Sequence, residues 1–348
     1  MRWVTRVSGD KVFVLDTVDW LEHEYTTSSA LKLEGLLGVD KGTVFPCFSL
    51  YRRYYGLHNL VIEGMHLDLK FTPTDITLVK VKGNFEGKEL VIPSIVSQIQ
   101  GYVFCNIKVD ILDVSHFDTS KVTDMSFMFK GCQVKELDVS HFDTSRVPYM
   151  RGTFWGCQVN KLDVSHFDTS RVTDMRCMFW DCQTEKLDVS HFNTSQVSSM
   201  SCMFDDCQAK ELDVSHFDTS QVTDMVSMFR NCRAEVLDVS HFDTSQVAIT
   251  ACMFSGCPVK ELDVSRFDTS KVTNMAYMFH NCQANELDVS HFDTSRVTNM
   301  DFMFNGCQAK ELDVSHFDIS NVRDFSHMFV GYEGIIIGKE RFPKEAFL

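Results

Sequence analysis

The sequence predicts an α/β repeat solenoid: 25-residue units stacked on one another, each giving one short parallel strand and a helical turn, behind a small N-terminal α+β cap domain. Three observations carry this expectation. The tetrapeptide Leu-Asp-Val-Ser begins at Leu112, Leu137, Leu162, Leu187, Leu212, Leu237, Leu262, Leu287 and Leu312, always 25 residues apart and without an insertion. Self-similarity at a fixed period of this length is the mark of stacked repeats. Within the copies apolar residues hold fixed columns, and the last copy degrades as a terminal repeat does, with Ile319, Phe325 and Tyr332 standing where the first unit has Thr119, Met125 and Cys132.

Taken in order, residues 1–83 do not repeat and read as the small α+β domain that also caps the array. Lys11-Val12-Phe13-Val14-Leu15 and Leu78-Val79-Lys80-Val81 read as strands, and Thr27-Ser28-Ser29 as the cap of a short helix through Leu37. The basic-aromatic cluster Tyr51-Arg52-Arg53-Tyr54-Tyr55 suits packing against the first rung better than recognition. Residues 84–111 form a divergent unit, residues 112–336 the nine repeats, and residues 337–348 the C-terminal cap.

In the first repeat Leu112 and Val114 alternate with Asp113 and Ser115, the period-2 pattern of a strand with one wet face. Asp118-Thr119-Ser120 suits a turn that caps the segment after it. Val122, Met125, Phe129 and Cys132 then recur at helix-like spacing, so one or two helical turns are expected to return the chain. The column Gly131, Gly156, Asp181, Asp206, Asn231, Gly256, Asn281, Gly306 and Gly331 holds the residue types that tolerate a left-handed backbone, which predicts a sharp corner. One such unit cannot bury its own core, so neighbours must supply the missing contacts.

Composition bounds the function. Apolar residues are 44% and charged residues 23% of the chain, ordinary for a folded protein. A net charge of −15 and a pI near 5.3 argue against a nucleic-acid groove or an anionic membrane surface. A protein or glycan partner, neutral or cationic, fits better; the sequence says nothing of oligomeric state. No apolar run approaches the ~20 residues of a membrane span, so membrane insertion is not expected. No signal-like apolar region follows Arg2 and Arg6, and no anchor-like tail follows Lys344, which leaves a cytoplasmic location, trimming or another export route as alternatives.

Several columns invite chemistry. The histidines His116, His141, His166, His191, His216, His241, His291 and His316, interrupted by Arg266, suggest either transition-metal ligation or a polar, half-exposed ladder. The ladder is the expectation, because an arginine in the same slot shows that a cation is tolerated there; no metal site or cofactor is assigned. The aspartates of the Asp118 column are expected to bond backbone amides in their turns. Ser115, His116 and Asp118 imitate a hydrolytic triad, but a trio copied along a ladder is a structural pattern, and no catalytic residue is assigned. The column Cys132, Cys157, Cys182, Cys207, Cys232, Cys257, Cys282 and Cys307 reads as reduced, buried thiols, with Cys177 and Cys202 in a second column as the candidates for an exceptional bridge. The threonines Thr119 to Thr294 and the serines Ser120 to Ser320 form two hydroxyl columns that allow ice binding as a minor alternative to capping.

The run LDVSHFDTSKVTDMSFMFKGC resembles the repeat of BspA-like leucine-rich-repeat surface proteins of host-associated bacteria, through Leu112-Asp113, Ser115, Phe117-Asp118-Thr119-Ser120, Val122, Asp124-Met125, Met128-Phe129 and Cys132. Leu90-Val91-Ile92-Pro93, Val96, Ile99 and Phe104 resemble the second repeat type of the same proteins. The resemblance covers the C-terminal part of the chain from about residue 84. It implies a leucine-rich-repeat-like, right-handed stack, a role in adhesion or recognition, a bacterial surface or secreted setting, and no active site.

These readings converge on a non-catalytic binding scaffold. The open strand face would present Asp113, Ser115, His116, Asp138, Ser140, His141, Asp163, Ser165, His166, Asp188, Ser190, His191, Asp213, Ser215 and His216 to the partner. The position after Ser120 varies through Lys121, Arg146, Arg171, Gln196, Gln221, Gln246, Lys271, Arg296 and Asn321, which places specificity along that edge. The alternative is a structural spacer whose N-terminal domain does the recognising. An enzyme in residues 1–83 is the least supported reading, since no nucleophile, phosphate loop or metal motif stands there.

Overall fold

A computed structural model of the chain describes residues 2–5, 11–14, 57–62, 65–71, 76–82, 89–90, 98–115 and 117–348. The expected helix at Thr27 to Leu37, the cluster Tyr51 to Tyr55 and the candidate residue His116 lie outside them.

Strands β1 (Arg2–Thr5) and β2 (Lys11–Val14) pair antiparallel. Strands β3 (Leu57–Ile62), β4 (Met65–Phe71) and β5 (Ile76–Lys82) form an antiparallel meander. Parallel pairing then takes over: β5 with β7 (Gln98–Ile99), and β6 (Glu89–Leu90) with β8 (Ile111–Leu112). Parallel pairs need a crossover between their strands, so this change of sense marks where the meander gives way to rungs.

From there the chain climbs as stacked rungs, because every unit reserves amides for the next one. In the first repeat the N–H groups of Met125, Phe127, Phe129 and Gly131 donate to the carbonyls of Tyr149, Arg151, Thr153 and Trp155 at 2.9, 2.8, 2.9 and 2.6 Å. The amides between them close tight turns instead, Met128 to Met125, Lys130 to Phe127 and Cys132 to Phe129, at 3.1, 3.2 and 3.0 Å. One residue per rung forms a continuous run of parallel bridges, Tyr149, Asp174, Ser199, Asp224, Ile249, Asn274, Asn299 and Asp324.

This replaces the helical turn expected of each unit: no α-helix is found among the described residues, and the return segment is a run of turns. An α-helix would use its amides four residues back along its own segment, leaving none for a neighbour. Left-handed residues interrupt the helical path twice per unit, at Phe127 (φ 55°) and Gly131 (φ 63°) in the first. The whole Gly131 column is left-handed, φ lying between 50° at Asn231 and 70° at Gly331, as its residue types predict. Where asparagine precedes glycine in that column, as Asn231 below Gly256, the amide oxygen packs where a side chain at the glycine would begin.

Leu-Asp-Val-Ser does not form the expected strand in every unit. It is strand only where the array starts (β8) and ends, at β9 (Glu311–Asp313). Between those ends the units meet there through isolated bridges such as Leu137 with Leu162 and Lys186 with Glu211. Local turns compete for the polar groups, since the Phe142 amide closes onto the Val139 carbonyl at 3.0 Å and the Ser140 amide is taken by the Asp138 carboxylate. Groups satisfied within a rung do not pair between rungs.

The core is a double file of phenylalanines. Phe104, Phe129, Phe154, Phe179, Phe204, Phe229, Phe254, Phe279, Phe304 and Phe329 stack with centroids 5.5–5.8 Å apart and planes within 11°. Nearly parallel rings at that separation are offset, the arrangement their quadrupoles favour. Phe117, Phe142, Phe167 and their successors tilt against this file at 6.0–6.4 Å. Leucine, valine, methionine and the cysteine column fill the remainder and are buried.

The threonine column is buried too, between 1% and 4% exposed from Thr119 to Thr294. Thr219 Oγ donates to the Asp243 carbonyl of the next rung at 2.9 Å, and the Asn193 amide donates to Thr169 Oγ at 2.7 Å. These hydroxyls clip neighbouring rungs together instead of capping a helix. Thr250 stands elsewhere, in the Met125 column, where its buried hydroxyl has no partner. The same substitution should therefore act in opposite directions at the two sites. Thr219→Val is expected to cost about 1 kcal/mol and Thr250→Val to stabilise by about as much, read as shifts of the urea midpoint.

At the far end, strand β10 (Ile335–Ile337) pairs parallel with β9, and 3-10 turns at Lys339–Arg341 and Lys344–Phe347 fold over the last rung. Phe342 meets Phe317, Phe325 and Phe329 edge-on, while Phe347 stacks on Phe329 at 5.1 Å. The His327 and Phe329 amides, which would serve a further rung, donate to the carbonyls of Glu345 and Ala346 at 3.0 and 2.7 Å.

Candidate functional site

Two edges of stacked turns run along the array. On the first, Asp138 accepts from both the amide and the hydroxyl of Ser140 at its Oδ1, at 3.0 and 2.6 Å. Asp113, Asp163, Asp188 and Asp213 hold Ser115, Ser165, Ser190 and Ser215 the same way. These bonds favour the ionised form, so the serines hold the carboxyls of Asp138, Asp163, Asp188 and Asp213 below the usual range. The aspartates and serines are exposed or half-buried, and His141, His166, His191 and His216 are exposed. The candidate residues that are described thus share one edge, but that edge is made of turns and is not the face of a sheet.

Three histidines of the column are held through their rings. His141 Nε2 lies 2.9 Å from the Val114 carbonyl of the preceding rung, and its ring meets Phe142 edge-on at 5.1 Å. His241 and His316 stand against Phe242 and Phe317 in the same way. Among the described residues no group of three or more His, Cys, Asp or Glu side chains is placed to hold a metal ion.

The second edge repeats the device. Asp143 Oδ1 accepts from the Ser145 amide and hydroxyl at 3.0 and 2.6 Å, and Asp118, Asp168, Asp218, Asp243, Asp268, Asp293 and Asp318 accept from the serine amide two residues on. This is the role expected of the column. Asn193 accepts the same two bonds from Ser195 at 3.1 and 2.7 Å, so the turn needs the oxygen and not the charge. The varied residues Lys121 to Asn321 all stand exposed beside this edge.

A third surface escaped the sequence reading: the run of turns from the Asp124 column to the Lys130 column. Here the units differ most, and the first ones carry a basic-aromatic cluster. Tyr102 meets Phe127 at 4.9 Å, Phe127 meets Trp155 at 6.0 Å, and Trp155 stacks on Trp180 at 4.4 Å. Lys130 Nζ sits 3.5 Å above the Trp155 ring, and the Arg151 guanidinium lies 5.5 Å from Phe127. Farther along, Tyr277, Phe302 and His327 stack at 4.7 and 4.6 Å. Position-by-position difference between the units was the available signal; the helix assignment hid it by scattering these columns around a cylinder.

A family model described as "Mycoplasma protein of unknown function, DUF285" matches the chain over residues 100–211, 150–262, 182–285 and 253–335. The chain belongs to this family. The overlapping DUF285 matches slide along residues 100–335 as a tandem array requires, and the structure places the rungs over the same stretch. No curated protein and no solved structure matches the chain. Among the described residues of this DUF285 array no helix is long and apolar enough to cross a membrane.

Proposed function

We propose that the chain is a non-catalytic recognition scaffold that holds a protein or glycan partner along the exposed columns of its stack. The observation that carries this is the repetition of one exposed Asp-Ser-His arrangement at the same place on successive rungs, so that weak contacts add along the array. Both turn bonds fall on Oδ1 of each aspartate, and Oδ2 takes no part in them. An ionised column of this kind suits a cationic partner, and selectivity comes from the varied residues Lys121 to Asn321 and from the turn surface. We read the stack as leucine-rich-repeat-like and the adhesive role from the resemblance to BspA-like surface proteins; inward leucine and valine columns support this, and the run of turns in place of a helix sets the chain apart.

The test exploits Asn193. Asp138→Asn, Asp163→Asn and Asp188→Asn together remove charge while keeping the accepting oxygen. Melting should shift by no more than about 0.5 kcal/mol equivalent. Binding to whichever members of a glycan and cationic-peptide panel the parent chain holds should weaken. Deleting residues 187–236, two units in register, should weaken it as well. Binding unchanged by both alterations would refute recognition along the array and favour the spacer reading.

A further inference from the structure

Twelve cysteines are described and all are free, but they fall into two chemical classes. The eight core thiols are at most 2% exposed, and burial pushes those of Cys132, Cys182, Cys232 and Cys257 up to about 12. Thiols held so firmly protonated are inert. Cys105, Cys177, Cys202 and Cys252 lie off that column.

Cys177 and Cys202 are consecutive members of the left-handed column that includes Phe127, with φ of 57° and 56°. Equal backbone geometry sends both side chains off the rungs in the same direction. Their rungs are locked by bonds from the Cys177 amide to the Ser201 carbonyl at 2.9 Å and from the Cys202 amide to the Val226 carbonyl at 2.8 Å. Neighbouring rungs at ~4.8 Å fall inside the ~4.4–6.8 Å between α-carbons that a disulfide spans. The two side chains lie close enough for each to alter the other's ionisation.

Their surroundings differ in sign. Cys177, 9% exposed, is held below the usual thiol range by Cys202 beside it and by Arg151 and Arg176, against the opposing pull of burial and Asp174. Cys202 is half-buried and is pushed up by Cys177 beside it, by burial and by Asp205, which keeps it protonated. A nucleophilic sulfur beside a protonated resolving thiol is the pairing that redox-responsive sites require.

We propose that Cys177 and Cys202 form a hydroperoxide-reactive dithiol that closes into a disulfide between two adjacent rungs. The Cys177 thiolate attacks one oxygen of the hydroperoxide; the O–O bond breaks, the alkoxide or hydroxide leaves with the proton of Cys202, and Cys177 becomes a sulfenic acid. The Cys202 thiolate then attacks the Cys177 sulfur; the S–S bond forms, the S–O bond breaks, and hydroxide departs as water with a proton from solvent. Two electrons pass from the sulfur pair to the peroxide. The site lies on the turn surface, away from the Asp-Ser-His edge, and its test does not depend on any partner.

The experiment uses the whole reduced chain, treated with a few equivalents of hydrogen peroxide, alkylated, and read by intact mass and peptide mapping. The expected product is about 2 Da lighter than the reduced chain before alkylation, takes up two fewer alkyl groups than it afterwards, and carries one linked peptide pair, Cys177 with Cys202. The core thiols should be alkylated only after denaturation. Cys202→Ser should stop at a sulfenic acid on Cys177, trapped by a dimedone-type probe. Arg151→Gln, on an exposed side chain, should slow the reaction several-fold with an unchanged circular dichroism spectrum. Absence of the linked pair overturns the proposal, as does oxidation of Cys105 or Cys252 at the same rate, or oxidation of Cys202 in a folded Cys177→Ser chain as fast as in the parent.

Discussion

Phe229→Ala is expected to lower stability by about 3–5 kcal/mol and to divide one unfolding transition into two. Phe229 is fully buried, stacked between Phe204 and Phe254 at 5.7 and 5.8 Å and tilted against Phe242 at 6.4 Å. Truncation removes both stacking faces and leaves a void that locked rungs cannot close. In a linear array each unit is held by its neighbours, so the loss uncouples the rungs on either side. Urea melts followed by circular dichroism test this, with Phe229→Leu as a milder variant. Val236→Ala serves as the control, because Val236 is 76% exposed and its truncation should stay within about 0.5 kcal/mol. A single unshifted transition in Phe229→Ala would mean that the phenylalanine file is not what couples the units.

The second large effect is expected at the closing end. Removing residues 339–348 takes away Phe342 and Ala346, uncovers the Phe329 ring and strips the His327 and Phe329 amides of their acceptors. A large buried side chain and two lost backbone hydrogen bonds make the loss about 4 kcal/mol or more. Hydrogen exchange should show it first in residues 301–332 and progressively less toward the start of the array. Exposed phenylalanine faces and unpaired amides should also favour end-to-end association, visible as concentration-dependent light scattering. Protection unchanged in that last stretch would show that the tail is not a cap.

The sequence made the array legible because its 25-residue period is unbroken, and each column has one chemical character. The left-handed corner at Gly131, Asp181 and Asn231 and the buried cysteine column were readable for that reason. The return segment was not. Apolar residues three and four apart describe a helix and a run of three-residue turns equally well, and only the amide partners, Met125 to Tyr149 instead of within the segment, distinguish them. The period-2 pattern of Leu112 to Ser115 was ambiguous in the same manner. An aspartate two residues before a serine makes a local turn as readily as it lines a strand, and the Asp113–Ser115 bond decides for the turn. Thr119 read as a cap because its partner, the Asp143 amide that donates to Thr119 Oγ, sits 24 residues away, beyond the reach of local pattern. The candidate edge itself was legible as a column, whereas the turn surface bearing Trp155 and Trp180 emerged only once the helix was gone.

Everything rests on equivalent residues lying directly above one another. Pulsed electron-spin distances between labels on genetically encoded ketone side chains at Glu136 and, in turn, Glu211, Glu261 or Glu311 test that most directly, since all four positions are exposed and three, five and seven units separate the pairs. Stacked rungs predict narrow distributions centred near roughly 14, 24 and 34 Å, rising by about 4.8 Å per unit. Broad distributions, or separations that grow by much more than that with each unit, would contradict the stack.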